Sequence, residues 1–472
     1  MRNTKIVCTL GPATDDPQIM KSLLAMGMNV ARFNFSHGTH DEQLARLEQL
    51  KALRQELNIP VAALLDTKGP EIRLGTFADG GADLVTGQHF VLTTAEFEGT
   101  AEKAHINYDS LPKDVKSGDK ILLDDGKISL AVISTDGRDI VCIIENDGHI
   151  SDRKGVNVPG VSLSMPYISK KDYDDLIFGA KAGFDYVAAS FVRTADDVKE
   201  VRMLLNWNGG EKIKIISKIE NLQGVQNFDE ILSVSDGIMI ARGDMGVEMP
   251  LEEVPILQKQ LINKVFLQGK PVITATQMLE SMMSYPRPTR AEATDVANAI
   301  YDGTSAIMLS GETAVGKYPI ESLETMIRIA TRAEADINYA HLLRTRSFSS
   351  GGNVTHAISH AACTSAIDLD AQAVVTFTLS GRAAQEISAF RPGCRIIACT
   401  SSQQTYRQLS LNWGVLPLLV ENEKNLDDLF ENGVRASVKA GFINSGDMVV
   451  LTAGVPIGVS GSTNFIKVMR AL

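Results

Sequence analysis

The fold class predicted by this sequence is a (β/α)8 barrel with an inserted small all-β lid and a C-terminal α/β domain. Three observations predict it. Eight short apolar runs of β type recur along the first two thirds of the chain, most of them followed by a segment of helical periodicity. That alternation breaks from Lys68 to about Ile168, where short β-type runs are separated by Gly- and Asp-rich turns. It resumes after a polar stretch, RTRSFSSGGN, that reads as a linker. An open doubly wound sheet shares the same alternation, because periodicity alone does not show closure.

The barrel runs are Lys5–Gly11, Asn29–Ser36, Val61–Thr67, Asp185–Phe191, Ile213–Glu220, Gly237–Asp244, Pro271–Gln277 and Ala306–Glu312. DPQIMKSLLAMG follows the first and HDEQLARLEQLKALRQEL the second, each with the spacing of an amphipathic helix. Between the third run and its helix lie HFVLTT, KILLDD, KISLAVIS and DIVCIIEND, with turn dipeptides at Asp125-Gly126 and Asp136-Gly137. A small β-barrel mounted on the third loop stands at the face where barrel enzymes keep their active sites, which makes it a lid. Beyond about Ala340, AVVTFTL, RIIACTS, VLPLLV and DMVVLTAG alternate with helical segments. The expected domains are therefore residues 1–68 and 169–340 for the barrel, 69–168 for the lid and 341–472 for the C-terminal domain.

At 472 residues the chain is too long for one core. A net charge of −11 argues against nucleic acid or an anionic membrane as partner, so any phosphate must be met by local cations. Cys8, Cys142, Cys363, Cys394 and Cys399 are scattered and odd in number, as expected of reduced, buried thiols. No apolar stretch is long enough for a membrane span and no leader pattern precedes the first run, so a cytoplasmic location is expected.

The chemistry concentrates at strand ends. In IKIISKIE, Lys218 and Glu220 are two residues apart, so the strand repeat turns both to one face. A cation and a carboxylate ending an apolar run are costly unless they face a wet, functional mouth. GIMIARGD ends in Asp244 and PVITATQ near Thr276. In NVARFNFSHG, Arg32, Asn34 and Ser36 alternate and share a face, and VAALLDTKGPEIR adds Asp66, Thr67 and Arg73. The neutral and acidic oxygens suit a hard cation, and the arginine forks suit phosphoryl oxygens.

DTKGPEIR, FNFSHG, SKIEN, ARGDMGVE, ITATQML and PRPTRAEATDVANAIYDGTSAIMLSGETAVGKYP together resemble the pyruvate kinase family. The matching segments run in order over essentially the whole chain. The resemblance implies transfer of a phosphoryl group from phosphoenolpyruvate to ADP, giving pyruvate and ATP in glycolysis. It implies that Glu220 and Asp244 hold Mg2+ (or Mn2+), and that Lys218 stabilises the transferring phosphoryl and the enolate. Thr276 lies on the proton path, Arg32 binds phosphoryl, and the Gly243 and Asp244 amides meet the substrate carboxylate. Asn34, Ser36, Asp66 and Thr67 match a K+ site, and Asn34, His37, Arg73 and Lys154 nucleotide-contacting positions. Glu71 matches members that require potassium, whereas members with lysine there carry their own cation. The loop Thr378, Ser380, Gly381 and Arg382 matches a site for a sugar-phosphate or nucleotide effector, at the kind of helix start that accepts phosphate. Ala383 replaces a hydroxyl residue and Leu379 a lysine found in some regulated members, which argues against fructose 1,6-bisphosphate and leaves a monophosphate. A homotetramer is expected by the same resemblance, as is the absence of the extra phosphohistidine-like domain of some relatives.

Other readings compete at single positions. Lys218 and Glu220 could form a structural ion pair, and Asn34, Ser36 and Thr67 could be caps or turn residues. A Mg2+-dependent lyase or aldolase would also stabilise an enolate, but needs neither a monovalent ion nor lid Lys154. A non-catalytic relative would have lost Lys218, Glu220 or Asp244. GETAVGK imitates a P-loop, yet Tyr318 stands where Ser or Thr is required, so a barrel-end loop is expected. His356 and His360 lack the glutamate and third ligand of a zinc site, and Met278, Met282 and Met283 read as a packed helix face.

Overall fold

The computed structural model describes residues 2–345, 353–423, 425–459 and 461–471, so most of the polar linker lies outside the described residues. The eight barrel strands are β1 (Lys5–Leu10), β2 (Val30–Asn34), β3 (Ala62–Asp66), β4 (Tyr186–Ala189), β5 (Lys214–Ile219), β6 (Gly237–Ala241), β7 (Val272–Ala275) and β8 (Ala306–Leu309). Each pairs in parallel with its sequence neighbours, and β8 pairs with β1, which closes the barrel. The open-sheet alternative is thereby excluded.

The near-continuous apolar runs follow from burial on both faces. Val7, Val30, Leu64, Ile216, Met239, Ile273 and Met308 fill the interior. Ile6, Phe33, Leu65, Ile215 and Ile240 face the outer helices. Several helix starts are encoded by a cap. Thr39 with Glu42, Thr194 with Asp197 and Thr289 with Glu292 each form a reciprocal capping box.

Observed strands stop short of the expected runs, and the trimmed residues are those that carry chemistry. Asp244 does not end a strand but sits in the first turn of the helix Arg242–Glu248. Thr276 and Gln277 follow β7 with φ of +67° and +54°, a left-handed turn that a β-branched residue rarely adopts.

The lid lies between β3 and the helix Lys170–Ala182. Its strands Ile72–Arg73, Gly155–Asn157, Lys120–Leu123, Ile128–Thr135, Asp139–Ile144, His89–Thr93 and Lys103–His105 form one sheet in that order. A bridge between Leu74 and Ile106 joins the two edges, curling the sheet around its own apolar core. One short helix, Leu111–Asp114, interrupts the expected all-β pattern. The lid touches the barrel where Asn157 Nδ2 donates to Glu248 Oε1 at 3.0 Å.

The C-terminal sheet contains β9 (Ala373–Phe377), β10 (Arg395–Thr400), β11 (Val415–Leu419), β12 (Met448–Gly454) and β13 (Thr463–Arg470), in the order β11-β10-β9-β12-β13. The sequence reading found the first four; β13 is an antiparallel, half-exposed edge strand that gives no apolar run. This domain seals the base of the barrel. Leu411 joins the barrel's interior cluster, Tyr186 donates to the Gln408 carbonyl at 2.5 Å, and Arg407 pairs with buried Asp185 at 2.8 Å.

GETAVGK forms a barrel-end turn after β8, its buried Glu312 accepting from the Ser310 and Leu279 amides. Met282 and Met283 sit on the 3-10 turn Glu280–Met283 and Met278 before it, so they pack a turn rather than a helix face. His356 and His360 both pack against Phe390, and His356 lies 3.1 Å from Glu386.

Candidate active site

The C-terminal ends of β2, β3, β4 and β5 build one charged cluster. Lys218 and Glu220 do share a face: Lys218 Nζ lies 3.0 Å from Glu220 Oε1. The same ammonium donates to Asp66 Oδ1 at 3.0 Å and to Ser190 Oγ at 2.7 Å. Asp66 Oδ2 accepts from Arg32 Nε at 2.5 Å, and Arg32 Nη1 donates to Thr9 Oγ1 at 3.0 Å. Lys218 is only 8% exposed and Glu220 fully buried, so these charges interact in a medium far less screening than water.

Asp244 acts on the cluster from the first turn of the helix Arg242–Glu248, where it feels Lys218, Glu220 and Asp66. The electrostatics divide accordingly. Burial works against the Lys218 charge, but Asp66 and Glu220 outweigh it and raise the group above an ordinary lysine. Burial likewise opposes the Asp66 charge, yet Arg32 and Lys218 hold it below the usual range. For Glu220 and Asp244 burial prevails over the pull of Lys218: Asp244 and Asp66 add to the rise of Glu220, Asp125 and Asp66 to that of Asp244, and both stand above ordinary carboxyls.

Those features fit a divalent cation. Glu220 Oε1 is buried without a partner in hydrogen-bonding geometry. Among the described residues, Arg32 and Lys218 lower Asp66, and Lys218 lowers Glu220 and Asp244. Magnesium takes oxygen ligands and is commonly held by one or two carboxylates plus water and substrate oxygens, which matches the Glu220–Asp244 pair.

The oxygens read as a potassium set are also gathered. Asn34 and Asp66 are register partners across β2 and β3, and Thr67 follows. Asn34 Oδ1 accepts from the Ser36 amide at 3.1 Å, which brings Ser36 onto the same turn. Thr67 Oγ1 accepts from the Ser190 amide at 3.0 Å.

Thr276 borders the cleft beside Asp244. Its Oγ1 accepts from the Gly243 amide at 2.8 Å and donates to the Ala275 carbonyl at 2.6 Å. The Gly243 amide, expected to meet the substrate carboxylate, donates to Thr276 in this structure. A Cβ at Gly243 would meet Thr276 Oγ1 at 3.4 Å, an ordinary contact distance.

Nucleotide-contacting expectations fall around the rim. His37 is exposed after β2. Arg73 pairs with Glu71 at 2.8 Å and donates to the Arg153 carbonyl at 2.9 Å. Lys154 pairs with Asp124 at 2.9 Å, within the lid. Far from this mouth, Thr378 Oγ1 accepts from the Gly381 amide at 3.0 Å and Gly381 takes φ +85°, opening the helix Arg382–Phe390. That loop borders a cleft also lined by Glu421 and Glu423.

Two residues that the sequence reading missed hold the site together. Ser190, just past β4, contacts Lys218, Asp66 and Thr67; its place after an apolar run was the available signal. Arg242 donates to the Thr276 carbonyl at 2.7 Å and to Asp295 at 2.6 Å, pinning the left-handed turn. Nothing in ARGD announces that reach.

A closed parallel barrel, a second β domain inserted after β3 and a buried Lys-carboxylate cluster at the strand ends have the architecture of a barrel enzyme. Residues 1–323 match the family described as pyruvate kinase, barrel domain, and residues 356–469 that described as pyruvate kinase, alpha/beta domain. A pyruvate kinase of Sporosarcina psychrophila is 52% identical over 470 residues, covering 99% of this chain and 80% of that protein. One of Clostridium acetobutylicum is 49% identical over 469 residues, covering 99% of each. The crystal structure of a pyruvate kinase from Cryptosporidium parvum superposes with a TM-score of 0.94 at 39% identity, covering 100% of this chain and 96% of that one. The chain belongs to the pyruvate kinase family, a family of phosphotransferases.

Proposed function

We propose that this mouth carries out its family's reaction, transfer of the phosphoryl group of phosphoenolpyruvate to ADP to give pyruvate and ATP. The observation that carries the reading is Lys218 Nζ within 3.0 Å of both Asp66 and Glu220, with Arg32 on the other Asp66 oxygen. Glu220 and Asp244 would hold Mg2+, and Asn34, Ser36, Asp66 and Thr67 would hold K+. Bound there, the ions supply positive charge that neutralises phosphoryl and enolate oxygens. Arg32 and Lys218 bind the phosphoryl group, and Lys218, always charged, stabilises the enolate oxygen that departs. Thr276 would lie on the proton path to the enolate carbon, its hydroxyl leaving the Ala275 carbonyl to which it donates at 2.6 Å. Lid residues Lys154 and Arg73, with His37 and Asn34 on the rim, would meet ADP and exclude water as the lid closes.

A coupled assay of pyruvate formation from phosphoenolpyruvate and ADP, with Mg2+ and with or without K+, tests the reading directly. Pyruvate formation that does not consume ADP, or none under any ion condition, would overturn it. Glu71→Lys should relieve the potassium requirement, since the lysine brings a resident cation. The same assay in sodium-free buffer reads the outcome, and an unchanged requirement would remove Glu71 from that role.

The pH dependence has a defined sign. Because burial raises Glu220 and Asp244, they take up protons more readily than ordinary carboxyls as pH falls, and cation binding must displace those protons. Apparent Mg2+ affinity should therefore weaken toward acid pH. The acid limb of kcat/KM should move to lower pH as Mg2+ is raised. A limb that ignores Mg2+ would detach these carboxylates from the metal.

A cytoplasmic homotetramer completes the proposal. Among the described residues no helix is long and apolar enough to cross a membrane, and the family supports the assembly. The Thr378–Arg382 loop is the place for a sugar-phosphate or nucleotide effector, with Glu421 and Glu423 disfavouring a densely charged one.

A further inference from the structure

Lys218 carries three N–H groups, and two of them are donated, to Asp66 Oδ1 at 3.0 Å and to Ser190 Oγ at 2.7 Å; Glu220 Oε1 lies 3.0 Å away as an ion-pair partner outside hydrogen-bonding geometry. The polarity of the Ser190 contact is fixed by chemistry. An ammonium only donates, so Ser190 Oγ must accept from Lys218 and spend its own proton elsewhere. The Thr67 carbonyl lies 2.6 Å from Ser190 Oγ, against 3.1 Å for Asp66 Oδ1, and takes that proton. Ser190 is itself anchored through its backbone, because its amide donates to Thr67 Oγ1 at 3.0 Å. The hydroxyl is 1% exposed with its residue and cannot exchange this role with bulk water.

We propose that Ser190 is a positioning residue for the reaction: it fixes the direction in which Lys218 presents its free N–H to the phosphoryl group. The inference rests on the assignment of Lys218 as the phosphoryl-contacting cation. A tetrahedral ammonium with two hydrogens anchored has its third direction determined. Glu220 accepts none of these hydrogens, so Asp66 and Ser190 are the two anchors. With Asp66 alone, the ammonium turns about the remaining hydrogen bond and its free N–H sweeps a cone. Charge at the site is unchanged by that loss; orientation is not. Misplacement on the order of 1 Å costs on the order of a hundredfold in rate, whereas ground-state attraction between charges is far less directional.

The test separates these effects. Ser190→Ala should lower kcat by about 10- to 100-fold. Phosphoenolpyruvate affinity, measured by calorimetry in the presence of Mg2+ and K+, should stay within about threefold, since Arg32 and the Lys218 charge remain. Ser190→Thr, which keeps the hydroxyl, should recover most of the rate. Ser190→Cys preserves size with a poor acceptor, and should reproduce the Ala loss if the Ala protein does not fold. A kcat within threefold of the parent in either Ala or Cys would overturn the proposal. So would a parallel loss of affinity, rate and thermal stability that Thr does not reverse, which would mark a purely structural role. If no turnover is seen in the parent itself, or Lys218→Met leaves turnover intact, the assignment of Lys218 fails instead.

Discussion

Lys218→Met should reduce kcat by at least about 10⁴-fold while phosphoenolpyruvate still binds, the larger of the two effects expected here. Methionine nearly matches the lysine stem in length, so the change is chiefly one of charge. The ammonium interacts with Asp66 and Glu220 in a buried cluster, and that surrounding keeps it protonated. Its preorganisation is what makes it effective: donors are already aimed and need no solvent reorganisation as charge moves from phosphoryl to enolate. Arg32, paired to Asp66 at 2.5 Å, remains to hold the ground-state phosphoryl group, so KM should change by only a few-fold. Stability should fall as well, because Asp66 and Glu220 lose a buried partner; breaking such a pair costs about 3–5 kcal/mol. The excess carboxylate charge can be relieved by protonation, so the melting temperature of Lys218→Met should drop more at alkaline than at acid pH. Pyruvate formation, calorimetric binding and thermal melts at two pH values check the three parts. Turnover within tenfold of the parent would show that the ammonium does not stabilise the transition state.

What the sequence disclosed of this arrangement was what a strand's period of two can encode. Lys218 and Glu220 were legible as one face because their alternation with buried Ile219 survives in the barrel. Arg32 and Asn34 alternate with Phe33 and Phe35, whose rings pack outward near Phe184 and Phe178. Relations between strands were not encoded locally. The pairing of Asn34 with Asp66 is set by barrel register, and the reach of Lys218 across β4 to Asp66 depends on closure. Asp244 was placed at the right loop but on the wrong element, because an apolar run does not announce that its last residues begin a helix. Thr276 was found by position, but its positive φ runs against the preference of a β-branched residue and is imposed by Arg242 and Gly243 from the neighbouring loop. Ser190 had the same strand-end position as the others. A lone serine there is more often a cap, and only its three partners distinguish it.

Glu220→Gln should lower kcat by about 10³-fold and weaken Mg2+ binding by at least about 100-fold, through loss of charge and a forced mismatch of donors. The carboxylate faces two donors. Oε2 accepts from the Phe191 amide at 2.6 Å, and Oε1 lies 3.0 Å from the Lys218 ammonium. A glutamine has one oxygen and one NH2 group, so its NH2 must oppose either the Phe191 N–H or the Lys218 ammonium. Keeping the backbone hydrogen bond turns a donor toward Lys218, and satisfying Lys218 strands a buried amide; neither orientation restores the site. The metal-free protein should nevertheless keep its melting temperature within a few degrees, because burial already penalises the native charge and its removal offsets the lost contact. That separation is the informative part, since a site built for a cation is strained without one and its neutral isostere is relieved. Calorimetric titration with Mn2+ in the absence of substrates reads metal affinity independently of turnover. Unchanged Mn2+ affinity in Glu220→Gln would move the divalent ion elsewhere, and a large loss of stability with intact affinity would make Glu220 a structural partner of Lys218.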